Sequence, residues 1–241
     1  MAGKISENLI HINDRIRSAA RKSGRGPEKI TLIAVTKTVE PKKIKEAINC
    51  GVRLFGENYV QEAEEKIKKI RDKSVKWHFI GHLQKNKAKL AIELFDVIES
   101  VDSLNLAKEL NRRAEAPINI LMEVNVAGES SKTGVPIDSA FELAEAISGM
   151  KNLRLRGLMT IPPYHENPEL SRPYFVALRR LAERINKAHL ENVSVRELSM
   201  GMSNDFDVAI EEGATIVRIG TAIFGEREAK DAQQTKIKPN S

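Results

Sequence analysis

The chain has 241 residues, of which 41% are hydrophobic and 30% charged, which is enough for one sizeable core beneath a charged surface. The net charge of +6 comes from charges interspersed along predicted helices, as in the run 62–69, and we assign most of these charges to a solvated helix face. Aromatic residues make up 5% of the chain and provide few stacking platforms, so nucleic-acid binding is disfavoured. One cysteine excludes an intrachain disulfide, and without a signal-like or membrane-spanning apolar run we expect a cytoplasmic protein with no membrane contact.

The predicted elements alternate between strand and helix along the chain after a leading helix over 5–22. The predicted strands cover residues 30–37, 53–57, 77–81, 96–101, 118–126, 153–160, 195–200 and 216–224. Eight strands separated by helices indicate a parallel α/β sheet, and eight is the number that closes a (β/α)₈ or TIM barrel. No glycine- or serine-rich linker divides the chain, so we expect one domain over 1–227 and a polar, disordered tail over 228–241.

Side chains that follow the strands should converge at one mouth of such a barrel. The first strand is a β-branched, apolar run that ends at Lys37, and an amine is chemically useful in that position. Acidic residues are few at the corresponding ends of the other strands, which suits a site for an anion. The candidate ligand-binding residues are Lys37, Asn58, Met202, Ser203, Arg218, Gly220 and Thr221.

Two glycine-containing turns follow predicted strands seven and eight, where barrels commonly bind phosphate. The first turn opens a helix and offers free backbone N–H groups, although Ser203 or Asn204 could serve there only as a helix N-cap. Together with an amine on strand one, the turns favour a phosphorylated carbonyl ligand. Pyridoxal phosphate (PLP) fits, with its aldehyde condensing with Lys37. Burial and the nearby Arg218 cation should lower the pKa of that lysine.

A set of ordered motifs over residues 5–227 resembles the pyridoxal phosphate homeostasis protein family, which is related to the N-terminal barrel of alanine racemases. The motifs are Ala34–Lys37, Gly56–Tyr59, Trp77–Lys87, Ser131–Gly134, Arg156–Met159, Ser199–Ser203 and Val217–Gly225.

This resemblance implies a fold-type III barrel in which PLP forms a Schiff base with Lys37. It places Arg218 opposite the pyridine nitrogen, Asn58 near the ring, and Ser203, Gly220 and Thr221 around the phosphate. The implied role is storage, delivery and balance of vitamin B6 and amino-acid pools. PLP-dependent apoenzymes would then be the partners.

A PLP-dependent racemase is the alternative function. Racemisation needs an acid or base on each face of the cofactor, and in alanine racemases the second is a tyrosine on a separate β-domain of a partner subunit. We find no such domain after strand eight and expect a monomer. Tyr164 is the one tyrosine that could reach the mouth. A guanidinium from Arg218 beside the pyridine nitrogen would also weaken the electron sink. We therefore favour a carrier without catalytic residues.

Four other residues have structural interpretations. Lys132 could offer a secondary amine for PLP, although a solvated loop lysine is the simpler interpretation. His78 and His82 flank strand three without a nearby carboxylate cluster, so we expect packing or hydrogen bonding and no metal site. Cys50 follows a predicted helix, and we interpret it as a small, buried residue at the helix end.

Overall fold

Eight parallel strands form a closed barrel in the computed structural model of the chain, which describes residues 3–129 and 132–226. The strands are β1 (Thr31–Val35), β2 (Leu54–Glu57), β3 (Lys76–Phe79), β4 (Val97–Val101), β5 (Ile118–Asn125), β6 (Leu153–Met159), β7 (Val193–Ser199) and β8 (Ile216–Ile219). They pair in the order β4-β3-β2-β1-β8-β7-β6-β5, and β5 pairs again with β4 to close the sheet. The predicted TIM barrel is confirmed. The predicted tail over 228–241 lies outside the described residues.

Helices cover the outside of the barrel and alternate with its strands. They are α1 (Lys4–Lys22), α2 (Pro41–Asn49), α3 (Val60–Ile70), α4 (Ala88–Leu94), α5 (Leu104–Arg113), α6 (Ala140–Ser148), α7 (Arg172–Lys187), α8 (Phe206–Glu211) and α9 (Thr221–Phe224). Short 3₁₀ turns at Pro27–Lys29, Lys85–Lys87, Ile137–Ser139 and Pro168–Ser171 lead into the next strand or helix. The predicted leading helix is α1, which packs its buried apolar face against α2, α8 and α9.

The hydrophobic core has two parts because successive side chains of a strand point to opposite faces of the sheet. Ala34 belongs to the large shell between the sheet and the helices, whereas its neighbour Ile33 lies inside the barrel with Leu121, Met159 and Ile216. This small interior cluster fills one part of the barrel. Polar and charged side chains occupy another, as described below.

Two strand ends near the cavity and one short strand differ from the prediction. β1 ends at Val35, so Lys37 lies two residues beyond the strand instead of on its last position. The last predicted strand ends at Ile219, and the apolar run that follows forms helix α9, because a short apolar run does not by itself distinguish strand from helix. A two-residue strand, Val135–Pro136, was not predicted and pairs with the end of β5.

Two further features concern the surface. Cys50 is exposed at the C-terminal end of α2, so the prediction that it is buried was wrong. The C-cap position fixes its backbone through hydrogen bonds to the last turn and leaves its side chain at the surface. Within residues 3–129 and 132–226, no helix has both the length and the apolar character needed to cross a membrane.

Candidate functional site

A cavity of about 420 Å³ opens where β1, β7 and β8 end. Six of the seven sequence-predicted residues line it, namely Lys37, Met202, Ser203, Arg218, Gly220 and Thr221. The seventh, Asn58, lines a neighbouring cavity of about 410 Å³ together with Tyr59 and His82. The predicted role of Asn58 near a ligand ring therefore stays a prediction. Tyr164, the tyrosine expected to reach the mouth, does line the first cavity and is 75% exposed.

A buried polar network, which was not predicted from the sequence, holds the backbone around Lys37. Thr36 donates its hydroxyl to Glu57 Oε1 at 2.6 Å, and Lys66 Nζ donates to the same oxygen at 2.8 Å and to the Thr36 carbonyl. Burial raises the pKa of Glu57, while the Lys66 cation and its hydrogen bond oppose that rise. Most charges of the run 62–69 are predicted on a solvated face, and Lys66 is an exception because it is buried.

Backbone geometry next to Lys37 is unusual. Thr38 has a φ of 62°, a left-handed conformation that β-branched residues rarely adopt. Its N–H donates to Glu62 Oε1 at 2.6 Å, which holds the residue in this conformation. The chain thus turns sharply immediately after the lysine, and both Lys37 and Thr38 line the cavity.

The turn after β7 begins with Gly201, whose φ of +93° is one that glycine tolerates. Neither Ser203 nor Asn204 caps the following helix. Asp205 is at the N-cap position of α8 and accepts a hydrogen bond from the Met202 N–H at 2.7 Å. The alternative in which Ser203 serves only as a cap is therefore wrong, because the Asp205 carboxylate closes the turn instead. The Ser203 hydroxyl instead accepts a hydrogen bond from the Ala222 N–H at 3.5 Å, and Ser203 lines the cavity.

Arg218 reaches the cavity from inside the barrel and is 3% exposed. Its guanidinium donates to Ser199 Oγ at 2.7 Å and to the Thr160 carbonyl at 2.8 Å. Ser199 donates in turn to Glu99 Oε2 at 2.5 Å, and His78 Nδ1 lies 2.6 Å from Glu99 Oε1. Burial lowers the pKa of Arg218 and nearby carboxylates oppose that change, so the guanidinium stays charged at neutral pH.

Carboxylates inside the barrel lie close enough to Arg218 to affect its charge. Glu99, Glu123 and Asp205 all act electrostatically on Arg218. Glu123 accepts a hydrogen bond from Thr133 at 2.6 Å, and burial raises its pKa. These carboxylates were missed because Glu99 and Glu123 are in the middle of apolar strands, where the alternation of side chains directs them into the barrel. Their negative charge favours the charged form of Arg218.

His78 and His82 each lie beside one carboxylate. His78 pairs with Glu99, and His82 Nδ1 lies 3.4 Å from Asp102 Oδ2. Hydrogen bonding was the role expected for both. In the part of the chain that the structure describes, no group of three or more histidine, cysteine or acidic side chains could hold a metal ion.

Two polar atoms in the cavity wall test whether a ligand such as PLP fits. Thr38 Oγ1 and His165 Nε2 are buried and have no hydrogen-bond partner among the described residues. Buried polar groups are normally paired, so both atoms fit a ligand with oxygen atoms of its own. The His165 ring also stacks on Tyr174, with 6.3 Å between ring centroids and 4° between planes. An amine, a guanidinium, hydroxyls and these two atoms form a donor set suited to a phosphorylated aldehyde.

Lys132 does not line the cavity. Its ammonium lies 2.8 Å from Glu129 Oε1 in the loop after β5, and the adjoining Ser131 of the sequence motif lies outside the described residues. This ion pair agrees with the simpler interpretation of a loop lysine. A secondary amine site at Lys132 stays a prediction.

Comparison with known proteins places the chain among PLP-related barrels. Residues 8–228 match the family model described as "Alanine racemase, N-terminal domain". The chain is 47% identical over 225 residues to the pyridoxal phosphate homeostasis protein of Aquifex aeolicus, covering 92% of this chain and 98% of that one. The structure of PipY from Synechococcus elongatus, solved with PLP bound, is 34% identical, with a TM-score of 0.80 over 92% of this chain and 100% of PipY.

Alanine racemase from Corynebacterium glutamicum is a more distant neighbour. It is 18% identical, with a TM-score of 0.69 over 91% of this chain and 62% of the racemase chain. At this identity the likeness establishes a shared fold and nothing about activity.

Proposed function

Because the chain belongs to the alanine racemase N-terminal domain family, and within it to the pyridoxal phosphate homeostasis proteins, we propose that it binds PLP and acts in vitamin B6 homeostasis. One observation carries the proposal. Six residues expected to surround the cofactor, which are spread over 185 positions of the sequence from 37 to 221, line a single cavity at the mouth of the barrel.

We assign each of these residues a role in holding the cofactor. Lys37 would provide the amine for covalent attachment, and Ser203, Gly220 and Thr221 would hold the phosphate through hydroxyl groups and backbone. When bound, PLP supplies an aldehyde carbon that bonds to an amine with release of water, next to an electron-withdrawing ring. Thr38 Oγ1 is a further donor or acceptor in reach of a ligand in this cavity.

Arg218 supports a carrier in preference to a racemase. Hydrogen bonds to Ser199 Oγ and to the Thr160 carbonyl fix the position of its guanidinium, which is a permanent cation. A fixed cation opposite the pyridine nitrogen would disfavour protonation of that nitrogen and weaken carbanion stabilisation. We therefore propose storage and delivery of PLP to apoenzymes by a cytoplasmic monomer, without robust catalysis.

Racemase activity is the second candidate, and Tyr164 is the observation that favours it, because this phenol lines the cavity. It is 75% exposed, however, whereas a general base must be held within hydrogen-bond reach of the proton that it takes. Incubation of the PLP-loaded protein with D- and L-alanine separates the two functions. A carrier leaves each enantiomer unchanged over many hours, whereas turnover that Tyr164→Phe abolishes would establish a racemase.

The proposed cofactor site is tested by near-visible absorbance of the protein mixed with PLP, before and after borohydride. We expect a yellow band that reduction removes, with a pyridoxyl adduct on the peptide that contains Lys37. Lys43 lines the same cavity and is the matched control: Lys43→Ala should keep the band and Lys37→Ala should lose it. A colourless mixture, or an adduct on another lysine, contradicts the proposed site.

A further inference from the structure

A buried lysine, Lys66, contacts the segment that carries Lys37. The side chains of Lys66 and Glu57 are 6% and 0% exposed, and they form an ion pair with 2.8 Å between Nζ and Oε1. The same ammonium donates to the carbonyl of Thr36 and lies 2.5 Å from Glu62 Oε1. The Lys66 ammonium therefore contacts two carboxylates and the backbone carbonyl immediately before Lys37.

The residue after Lys37 is attached to the same network. The Thr38 N–H donates to Glu62 Oε1 at 2.6 Å, which is also the oxygen that Lys66 contacts. Lys66 and Glu62 thus hold the backbone on both sides of Lys37, one through a carbonyl and the other through an N–H. Glu62 and Lys66 are four residues apart on α3 and present both groups from one helix face.

This attachment explains how Thr38 keeps its left-handed φ of 62°. Such strained conformations persist where the surrounding structure fixes them, and they cluster at functional sites. A hydrophobic replacement often stabilises a protein as well as a buried ion pair does, so global stability alone does not account for a buried lysine here. The local effect of this pair is to fix one short segment, and that segment carries the amine.

We propose that Lys66, through Glu62, is a positioning residue for Lys37: it fixes the Thr36–Thr38 backbone so that the Lys37 amine enters the cavity. Lys66 does not line the cavity, so its effect reaches the ligand only through that backbone. The inference rests on the proposed PLP site. It predicts that the covalent step depends on Lys66, whereas binding of the ring and phosphate does not.

Two ligands separate these steps. PLP reports attachment to Lys37 through its absorbance band, and pyridoxamine 5′-phosphate, which has an amine in place of the aldehyde, reports ring and phosphate binding alone. For Lys66→Met we expect the rate of band formation to fall about tenfold or more, as small misplacements of reacting groups commonly cause. Affinity for pyridoxamine 5′-phosphate should stay within about twofold, a result that general loosening of the structure would not give.

Lys68→Met is the matched control, because Lys68 forms an exposed i,i+4 pair with Glu64 on the same helix. It should bind both ligands as the unsubstituted protein does. Glu62→Gln is a second variant that leaves the buried Lys66–Glu57 pair in place and should slow band formation in the same direction. It decides the matter if Lys66→Met does not fold.

Wild-type rates of band formation in Lys66→Met, or in Glu62→Gln when the first variant is unfolded, would overturn the positioning role. Equal losses of PLP attachment and pyridoxamine 5′-phosphate affinity would overturn it as well. Absence of a band in the unsubstituted protein would instead count against the PLP site itself. The two proposals therefore fail in different ways.

Discussion

Arg218 donates to Ser199 at 2.7 Å, and the same hydroxyl donates to Glu99 at 2.5 Å. This relationship joins β8 through β7 to β4, across the interior of the barrel. Because β4 and β7 are not neighbours in the sheet, side chains alone make the connection. The guanidinium at the cavity is thus part of a buried polar layer that also stabilises the barrel.

Replacing Arg218 should therefore weaken the fold as well as the site. In Arg218→Met, Glu99 and Glu123 stay buried without their cation, and we expect the free energy of unfolding to fall by about 3–5 kcal/mol. Urea denaturation of the ligand-free protein measures this change. Arg196→Met, at an exposed position of β7, should change it by no more than about 0.5 kcal/mol. Similar denaturation midpoints for the two variants would show that the layer is not coupled to stability.

The pH dependence of stability should report Glu123. Burial raises its pKa above the ordinary value of 4.5, so the folded chain holds this proton more tightly than the unfolded chain. The contribution of Glu123 to the free energy of unfolding is complete below the pKa that this group has in the unfolded chain. That contribution is lost as the pH rises through the pKa that it has in the folded chain. Glu123→Gln mimics the protonated form, so its stability relative to the unsubstituted protein should increase as the pH rises above 4.5.

Urea denaturation of both proteins between about pH 4 and about pH 7 provides the measurement. In Glu123→Gln the side-chain amide keeps an oxygen that can accept from the Thr133 hydroxyl, so the comparison isolates the charge. A stability difference that does not vary with pH would contradict the raised pKa.

Gly201 should resist substitution for two reasons. Its φ is +93°, and a β-carbon there would lie 2.6 Å from Ala209 Cβ and 2.9 Å from Phe206 Cα. Gly128 has a φ of +69° with nothing within 4 Å, so Gly128→Ala carries the backbone cost alone, about 1 kcal/mol. Gly201→Ala should be worse by a further ~1–3 kcal/mol. Equal melting temperatures of the two variants would contradict this prediction, because they would show that the turn after β7 accommodates the added β-carbon without further cost.

Ser203 and Thr221 should contribute to affinity through the phosphate. A hydrogen bond to a charged group contributes about 1.5–3 kcal/mol, so Ser203→Ala or Thr221→Val should weaken PLP binding about tenfold or more. Equilibrium dialysis provides the dissociation constants. Pyridoxal without its phosphate is the control ligand, and neither substitution should change its affinity. Equal weakening of both ligands would place these hydroxyls away from the phosphate.

The barrel and most of the residues around its mouth could be predicted from the amino-acid sequence alone. Both depend on local signals: apolar runs of strand length, helical periodicity between them, and glycine-containing turns after strands seven and eight. Closure of eight parallel strands then brings all their carboxyl ends together, whatever the details of packing. This is why Lys37, Ser203 and Thr221 could be assigned to one site although they are distant in sequence.

The burial of charged side chains could not be predicted without the folded barrel. Lys66 resembled any other lysine of an amphipathic helix, and Glu99 resembled an isolated charge in a strand. A charged group is tolerated inside a protein when partners compensate its desolvation. Glu57, the fully buried partner of Lys66, is on a different element, and the Ser199 partner of Glu99 is 100 residues further along the chain. No local pattern encodes such pairs, because they form only when the barrel brings those strands and helices together.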